Sequence, residues 1–176
     1  MNWKKLDLKG VLNEIDKQFK KHHLNAILVG GGCVTVYSEN KYISKDLDMV
    51  SFDKTKSIQT ALSEIGFIQK GRHFIHPDCQ FYLEFPPPPV AIGEETIEKF
   101  HKLDPKNAIS ILSPTDCVKD RLAAFYHWGD YQSLDQALLV ASQQKIDLKE
   151  IARWSKKERQ MNGFDIFKSR LKQINQ

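Results

Sequence analysis

A short apolar run that ends in three consecutive glycines places the strongest constraint on how this chain folds. Residues 26–29 are Ala-Ile-Leu-Val, and residues 30–32 are all glycine. A run of that length beside glycines predicts a buried strand that leads into a tight turn, and we expect a helix after it, over residues 33–37. Backbone N–H groups at such a helix start can bind phosphate, and side chains in place of the glycines would hold the phosphate away.

Two later stretches alternate between polar and apolar residues and predict further strands. In residues 45–51, Asp46 and Asp48 lie two positions apart, so both carboxylates point to one face at a spacing of about 6.6 Å. Residues 79–85 place Glu84 on the polar side of a strand that the following prolines end, because proline cannot donate to a ladder. Carboxylates can share Mg²⁺, and two such ions stabilise phosphoryl displacement. If Glu84 lies beside Asp48, the three carboxylates form a metal site.

The pattern elsewhere predicts helices in the N-terminal stretch and throughout the chain after residue 113. Helix-start signals stand at residues 113–116, 133–136 and 147–150. A hairpin is predicted around Gly71. The sequence therefore predicts an α+β fold, with an α/β core over residues 1–112 and a helical subdomain over residues 113–176.

Composition limits the class of protein. The 176 residues carry 41% hydrophobic and 27% charged side chains with a net charge of +4, which is typical of a globular protein and argues against disorder. No apolar run approaches the roughly 20 residues of a membrane span, and the N-terminus lacks the apolar stretch of a secretory signal. The three cysteines, Cys33, Cys79 and Cys117, form no CxxC pair, which disfavours disulfides and structural zinc and favours a reducing cytoplasm.

Other common sites fit the residues less well. No Gly-Lys-Ser/Thr follows Gly32, so a Walker-type phosphate loop is disfavoured, and a dinucleotide fingerprint would need glycine where Thr35 stands. His73 and His76 lie three residues apart in the predicted hairpin, so their side chains face opposite ways. We therefore do not expect these two histidines to share a metal ion.

The glycine turn, the Asp46-Leu47-Asp48 strand and the later Glu84 stand in an order that resembles the polymerase-β-like nucleotidyltransferase superfamily. The surrounding residues look most like the small bacterial members, which include the abortive-infection toxin type. The resemblance implies a nucleotidyltransferase-like mixed sheet flanked by helices over residues 1–112. It also implies binding of NTP and two Mg²⁺ ions, and transfer of a nucleoside monophosphate to an acceptor hydroxyl.

Site roles follow from the same resemblance. Asp46, Asp48 and Glu84 would be metal ligands, with Glu84 also the candidate general base for the acceptor hydroxyl. The residues implied to bind the nucleotide are Gly30 and Gly31 at the triphosphate, with Lys119 or Arg121 to neutralise its charge. Many members carry serine directly after the first glycine, where this sequence has Gly31.

Two other functions remain open from the sequence. The first is a catalytically inactive nucleotidyltransferase-like module that binds a protein or RNA partner. For the active enzyme, the resemblance also suggests a toxin–antitoxin role with an antitoxin as partner. The second is nucleic-acid binding through residues 145–176, which carry a net charge of +5 while the rest of the chain carries −1. A solvated helix face explains the same basic residues.

Overall fold

The computed structural model describes residues 2–174. A short 3-10 helix at Trp3–Lys5 comes first. The α-helices are α1 (Leu8–Lys21), α2 (Gly30–Tyr37), α3 (Thr55–Ser63), α4 (Pro114–Trp128), α5 (Tyr131–Gln143), α6 (Leu148–Lys157) and α7 (Met161–Ile174). The strands are β1 (Ala26–Leu28), β2 (Asp46–Val50), β3 (Ile68–Lys70), β4 (His73–Ile75), β5 (Tyr82–Glu84), β6 (Ala91–Ile92), β7 (Glu95–Thr96) and β8 (Ile109–Ile111).

Six strands form one mixed sheet in the order β3-β4-β5-β2-β1-β8. The pairs β1–β8 and β2–β5 are parallel, and the other neighbours are antiparallel. Strands β6 and β7 form a separate two-stranded ribbon. This mixed sheet with its helices confirms the predicted α+β fold class.

Local chemistry explains several element boundaries. Helix α1 begins after Asp7, whose side chain accepts a hydrogen bond from the Gly10 N–H at 2.9 Å. Helix α4 begins after Ser113, whose hydroxyl accepts from the Asp116 N–H at 3.0 Å, with Pro114 in the first turn. Both caps satisfy N–H groups that have no partner within the helix.

Three boundaries differ from the sequence prediction. Helix α2 begins at Gly30 rather than at residue 33, because Gly30 takes a left-handed backbone angle (φ +64°) that turns the chain directly out of the strand. Helix α5 begins at Tyr131, two residues before the predicted capping box, because Asp130 caps it through the Ser133 N–H. The strand predicted over residues 79–85 is paired only over residues 82–84.

One cluster of buried apolar side chains extends from Trp3 to Leu171 and therefore runs through both predicted parts. Hydrogen bonds connect those parts: Gln144 donates to the Tyr37 carbonyl at 2.9 Å, and the Trp154 indole donates to the Ile92 carbonyl at 3.2 Å. The domain boundary at residues 112 and 113 stays a prediction. Among the helices of residues 2–174, none combines the length and apolar character that a membrane crossing requires.

Candidate active site

Strand pairing places the three predicted carboxylates together. In the parallel pair β2–β5, Asp46 is in register with Tyr82 and Asp48 with Glu84. Side chains in register on neighbouring strands project to the same face, so Glu84 lies beside the aspartate pair. The residues that alternate with these carboxylates, Leu47 and Leu83, are fully buried on the opposite face. The core therefore determines which face carries the acidic groups.

A histidine completes this group. His73 on β4 is in register with Glu84, and its Nε2 lies 3.3 Å from Glu84 Oε2. One ligand atom each from Asp46, His73 and Glu84 lies within 4.8 Å of the others. Arg72 Nε also lies 3.3 Å from Glu84 Oε2, on a side chain that is 74% exposed. His76 lies elsewhere, with its ring centroid 5.0 Å from that of Trp3.

The aspartates are held in a way that disfavours their charge. Burial raises the pKa of Asp48 to about 6, with further increases from the charges of Asp46 and Glu84 and an opposing decrease from Arg121. Burial and the charge of Glu84 likewise raise the pKa of Asp46. Within residues 2–174, the buried oxygen Oδ1 of Asp46 has no hydrogen-bond partner. The protein therefore keeps negative charges close together without compensating most of them.

The glycine turn lies directly against the carboxylates. A Cβ atom on Gly30 would lie 2.9 Å from Asp48 Oδ2, so a side chain at this position would displace that carboxylate. A Cβ atom on Gly31 would lie 2.9 Å from the Ser44 hydroxyl, which donates to the Asp46 carbonyl at 2.8 Å. Ser44 thus occupies the space that a serine at position 31 would need. The Ser44 side chain is therefore a physical reason why residue 31 is glycine.

Arg121 supplies a cation next to this turn. One of its terminal nitrogens, Nη2, lies 3.7 Å from the point that a Cβ atom on Gly30 would occupy. The same nitrogen donates to Asp120 at 2.6 Å. Its other terminal nitrogen donates to Gln136 at 3.4 Å. The guanidinium therefore stands between the start of α2 and Gln136 on α5.

The structure does not bring Lys119 to the carboxylates. Its Nζ lies 3.0 Å from Asp116, 3.1 Å from Glu150 and 3.9 Å from Glu95, and its side chain is 3% exposed. The same nitrogen lies 6.0 Å from the centre of the Trp154 ring. Three carboxylates therefore surround this ammonium group, whereas the Arg121 guanidinium lies beside the glycine turn.

These residues fit a divalent cation. Carboxylate oxygens are ligands that Mg²⁺ and Mn²⁺ accept, and a cation would satisfy the buried Asp46 oxygen. It would also offset the repulsion that raises the pKa of both aspartates. Asp46, Asp48 and Glu84 could hold such an ion, with His73 within reach.

A small cavity of about 190 Å³ lies next to the glycine turn. Its walls are mostly apolar, and Asp120 is its acidic group; among its lining residues are Val29, Pro86, Pro89 and Leu112. A larger cavity of about 370 Å³ lies between α1 and β8, lined by neither the carboxylates nor the glycines of the site. The site carboxylates and glycines line neither of these two cavities, and the smaller one lies nearer to them because Val29 directly precedes Gly30.

His73 is the site residue that sequence analysis missed. Its pattern held a signal, since it precedes the buried Phe74 and therefore lies on the polar face of its strand. The sequence predicted the hairpin but not that β4 pairs with β5, and that pairing places His73 opposite Glu84.

Comparisons with known proteins give the fold. No protein-family model and no curated protein matches the chain. The crystal structure of ANT(2″)-Ia in complex with adenylyl-2″-tobramycin is similar with a TM-score of 0.50 and 12% identity, over 91% of this chain and 96% of that one. The solution structure of the antibiotic-resistance factor ANT(2″)-Ia gives a TM-score of 0.52 and 11% identity, over 94% of each chain. The chain thus has the fold of a nucleotidyltransferase.

Proposed function

We propose that this protein is a metal-dependent nucleotidyltransferase that transfers a nucleoside monophosphate from NTP to an acceptor hydroxyl. The observation that carries the proposal is the convergence of Asp46, Asp48 and Glu84 on one sheet face, against a glycine turn that begins a helix. Raised carboxylate pKa values such as that of Asp48 are typical of functional sites, because stability alone does not favour uncompensated charge. The nucleotidyltransferase fold supports the same reaction class.

The residues have distinct tasks in this proposal. The N–H groups at the start of α2 and the Arg121 guanidinium bind the triphosphate. Two Mg²⁺ ions held by Asp46, Asp48 and Glu84 would supply positive charge to the phosphates. Glu84 accepts the proton of the acceptor hydroxyl as its oxygen bonds to the α-phosphorus. The bond from the α-phosphorus to the β-phosphate oxygen breaks, and pyrophosphate leaves.

The acceptor is proposed more broadly. The structurally similar ANT(2″)-Ia was crystallised with adenylyl-2″-tobramycin, a nucleotidylated antibiotic, so a small polyhydroxylated molecule is one acceptor class. RNA or a protein is the other, in a toxin or phage-defence setting with an antitoxin as regulator. We place the protein in the cytoplasm, where free thiols such as those of Cys33, Cys79 and Cys117 stay reduced.

The central experiment replaces both aspartates. We expect the Asp46→Asn, Asp48→Asn double variant to lose release of pyrophosphate from labelled NTP, because it removes the charges that hold the metal ions. Asp78→Asn is the matched control, since that aspartate lies on the surface in an ion pair with Lys4. If the double variant turns over NTP like the control, the proposed function is wrong.

An inactive binding module is the second candidate, and one contact favours it. Glu84 is already paired with His73 and Arg72, which compete with its use as a base. Calorimetry with a non-hydrolysable NTP and Mg²⁺ separates the two functions. The enzyme gives heat that depends on the metal and on Asp48, whereas the inactive module gives neither.

A further inference from the structure

We propose that His73 is a metal ligand, so that one of the two metal positions is a mixed nitrogen and oxygen site formed by Asp46, His73 and Glu84. Such a site binds divalent transition-metal ions such as Mn²⁺ and Co²⁺ in preference to Mg²⁺. The inference rests on the proposed function, because it concerns the metal ions of the same reaction. It goes further in assigning a histidine and a metal class to one of the two positions.

The backbone places the three ligand groups on three adjacent strands. Glu84 on β5 is flanked by β4, which carries His73, and by β2, which carries Asp46. The ligand atoms lie within 4.8 Å of one another. Ligands of one transition-metal ion at about 2.0–2.2 Å from it can be no further apart than roughly 4.4 Å, so small side-chain shifts bring this group into coordination.

The surroundings favour an incoming cation. The Asp46 Oδ1 atom is buried and, within the described chain, has no donor to satisfy it. The His73 side chain is 30% exposed, so the ring borders solvent. Its ring packs nearly perpendicular to the Tyr82 ring, with 5.2 Å between the two ring centroids. The imidazole is therefore positioned before any metal binds.

Ligand chemistry then sets the metal preference. Mg²⁺ prefers oxygen ligands and keeps several waters, whereas an imidazole nitrogen suits the later first-row divalent ions. Asp48 stands in different surroundings, because its Oδ2 and the Arg121 guanidinium both lie against Gly30. The two ends of the carboxylate group are therefore chemically unlike, and the His73 end is the one that selects a transition metal.

A positioning role for His73 is the alternative. Its Nε2 lies 3.3 Å from Glu84 Oε2, which also fits a hydrogen bond that orients the glutamate. The variant His73→Gln tests this directly, because glutamine can still donate to Glu84 but offers no ring nitrogen. His23→Asn is the matched control: this histidine is exposed, and its left-handed backbone (φ 54°) is one that asparagine tolerates.

The experiment measures metal ligation apart from activity. Pulsed electron paramagnetic resonance of bound Mn²⁺ should show nitrogen-14 coupling in the wild type and in His23→Asn, and lose it in His73→Gln. Calorimetry should show Co²⁺ affinity falling by about tenfold or more in His73→Gln, with Mg²⁺ affinity changing less. Circular dichroism at the working temperature verifies that both variants are folded.

Several outcomes overturn the inference. Absence of nitrogen coupling in the wild type, or its survival in His73→Gln, excludes His73 as a ligand, and an equal loss of Co²⁺ and Mg²⁺ affinity assigns it to positioning alone. Failure of the proposed function looks different. Nitrogen coupling that depends on His73, in a protein that transfers no nucleotide, would leave the metal site intact and refute only the enzymatic activity.

Discussion

Two carboxylate-rich regions of this protein have opposite electrostatics. Around Asp46 and Asp48, burial and like charges raise the pKa of both groups. Around Lys119, by contrast, the acidic side chains are paired with cations. Arg153 donates two hydrogen bonds to Glu95, at 2.9 and 2.8 Å, and lowers the pKa of Glu95 to about 2. The charged form of the carboxylate is therefore disfavoured in the first region and favoured in the second.

The difference separates a functional role from a structural one. The Lys119 group ties the β6–β7 ribbon to α4 and α6, since its acids and bases come from those three elements. Its charges are satisfied within the chain and need no ligand. The charges of Asp46 and Asp48 are compensated only in part within residues 2–174, and in the proposed function a metal ion would compensate the rest. The opposite directions of the pKa shifts distinguish the two carboxylate groups, while strand pairing and the glycine turn make the Asp46 group the candidate active site.

The largest expected effect is on activity, and it should appear in only one of the two regions. Asp48→Asn should lower the rate of nucleotide transfer by roughly 10²–10³-fold, because a preorganised charge at the reacting phosphates is removed. Glu150→Gln, which changes a carboxylate of the Lys119 group, should leave the rate unchanged. Steady-state assays of pyrophosphate release compare the two. Equal losses of rate in both variants would show that the Asp48 and Lys119 regions do not differ in their role in catalysis.

The next effect is on stability and should appear in the other region. Lys119→Met should lower the free energy of unfolding by about 2–4 kcal/mol, because the half-buried carboxylates of Asp116 and Glu150 lose a close cation. Lys149→Met, at an exposed position on α6, is the control. Urea unfolding followed by circular dichroism measures both. A loss below about 1 kcal/mol for Lys119→Met would show that the group is solvated rather than structural.

A smaller effect tests the packing of the glycine turn. Gly31→Ser should destabilise the protein by about 1–3 kcal/mol, because its Cβ would lie 2.9 Å from the Ser44 hydroxyl. Adding Ser44→Gly makes space, so the double variant should lose less than the two single variants together. A double-mutant cycle from thermal unfolding gives this coupling. Additive losses would show that Ser44 is not what excludes a side chain at position 31.

The smallest effect is a pH dependence of opposite sign in the two regions. Asp48 has a pKa of about 6 in the folded protein, above its usual 3.8, so its ionisation destabilises the fold as pH rises through that interval. Without metal, Asp48→Asn should therefore be more stable than the wild type by about 1 kcal/mol above pH 6, a shift of roughly 2–4 °C in Tm, and no more stable below pH 4.

Glu95→Gln should behave in reverse. The pKa of Glu95 is lowered to about 2 from 4.5, so its stabilising contribution is present above pH 4.5 and is lost as pH falls towards 2. The variant should be less stable than the wild type at neutral pH, and the difference should shrink in acid. Calorimetric Tm values between pH 3 and pH 8 compare both variants. If the Tm differences from the wild type changed with pH in the same direction for Asp48→Asn and Glu95→Gln, the two regions would not have opposite electrostatics.

The sequence predicted the elements whose signals are local. The apolar run before three glycines predicted β1 and its turn, the alternation around Asp46 and Asp48 predicted β2, and helix caps such as Ser113 predicted the helical C-terminal part. These signals depend on neighbours a few residues away, so they can be read from the chain itself. Strands β6 and β7 were missed because each has only two residues, too few to show an alternating pattern, and β8 was missed as well.

Residue types and spacing alone determined which acidic side chains share a face, since alternation in a strand is a property of the backbone. Tertiary structure decided which strands are neighbours, because pairing joins residues that lie far apart in the chain. That pairing brought His73 to Glu84, and helix packing turned Lys119 into a buried structural cation while Arg121 faces the glycine turn. Long-range contacts carry no local signal, and the roles of these three residues follow from them.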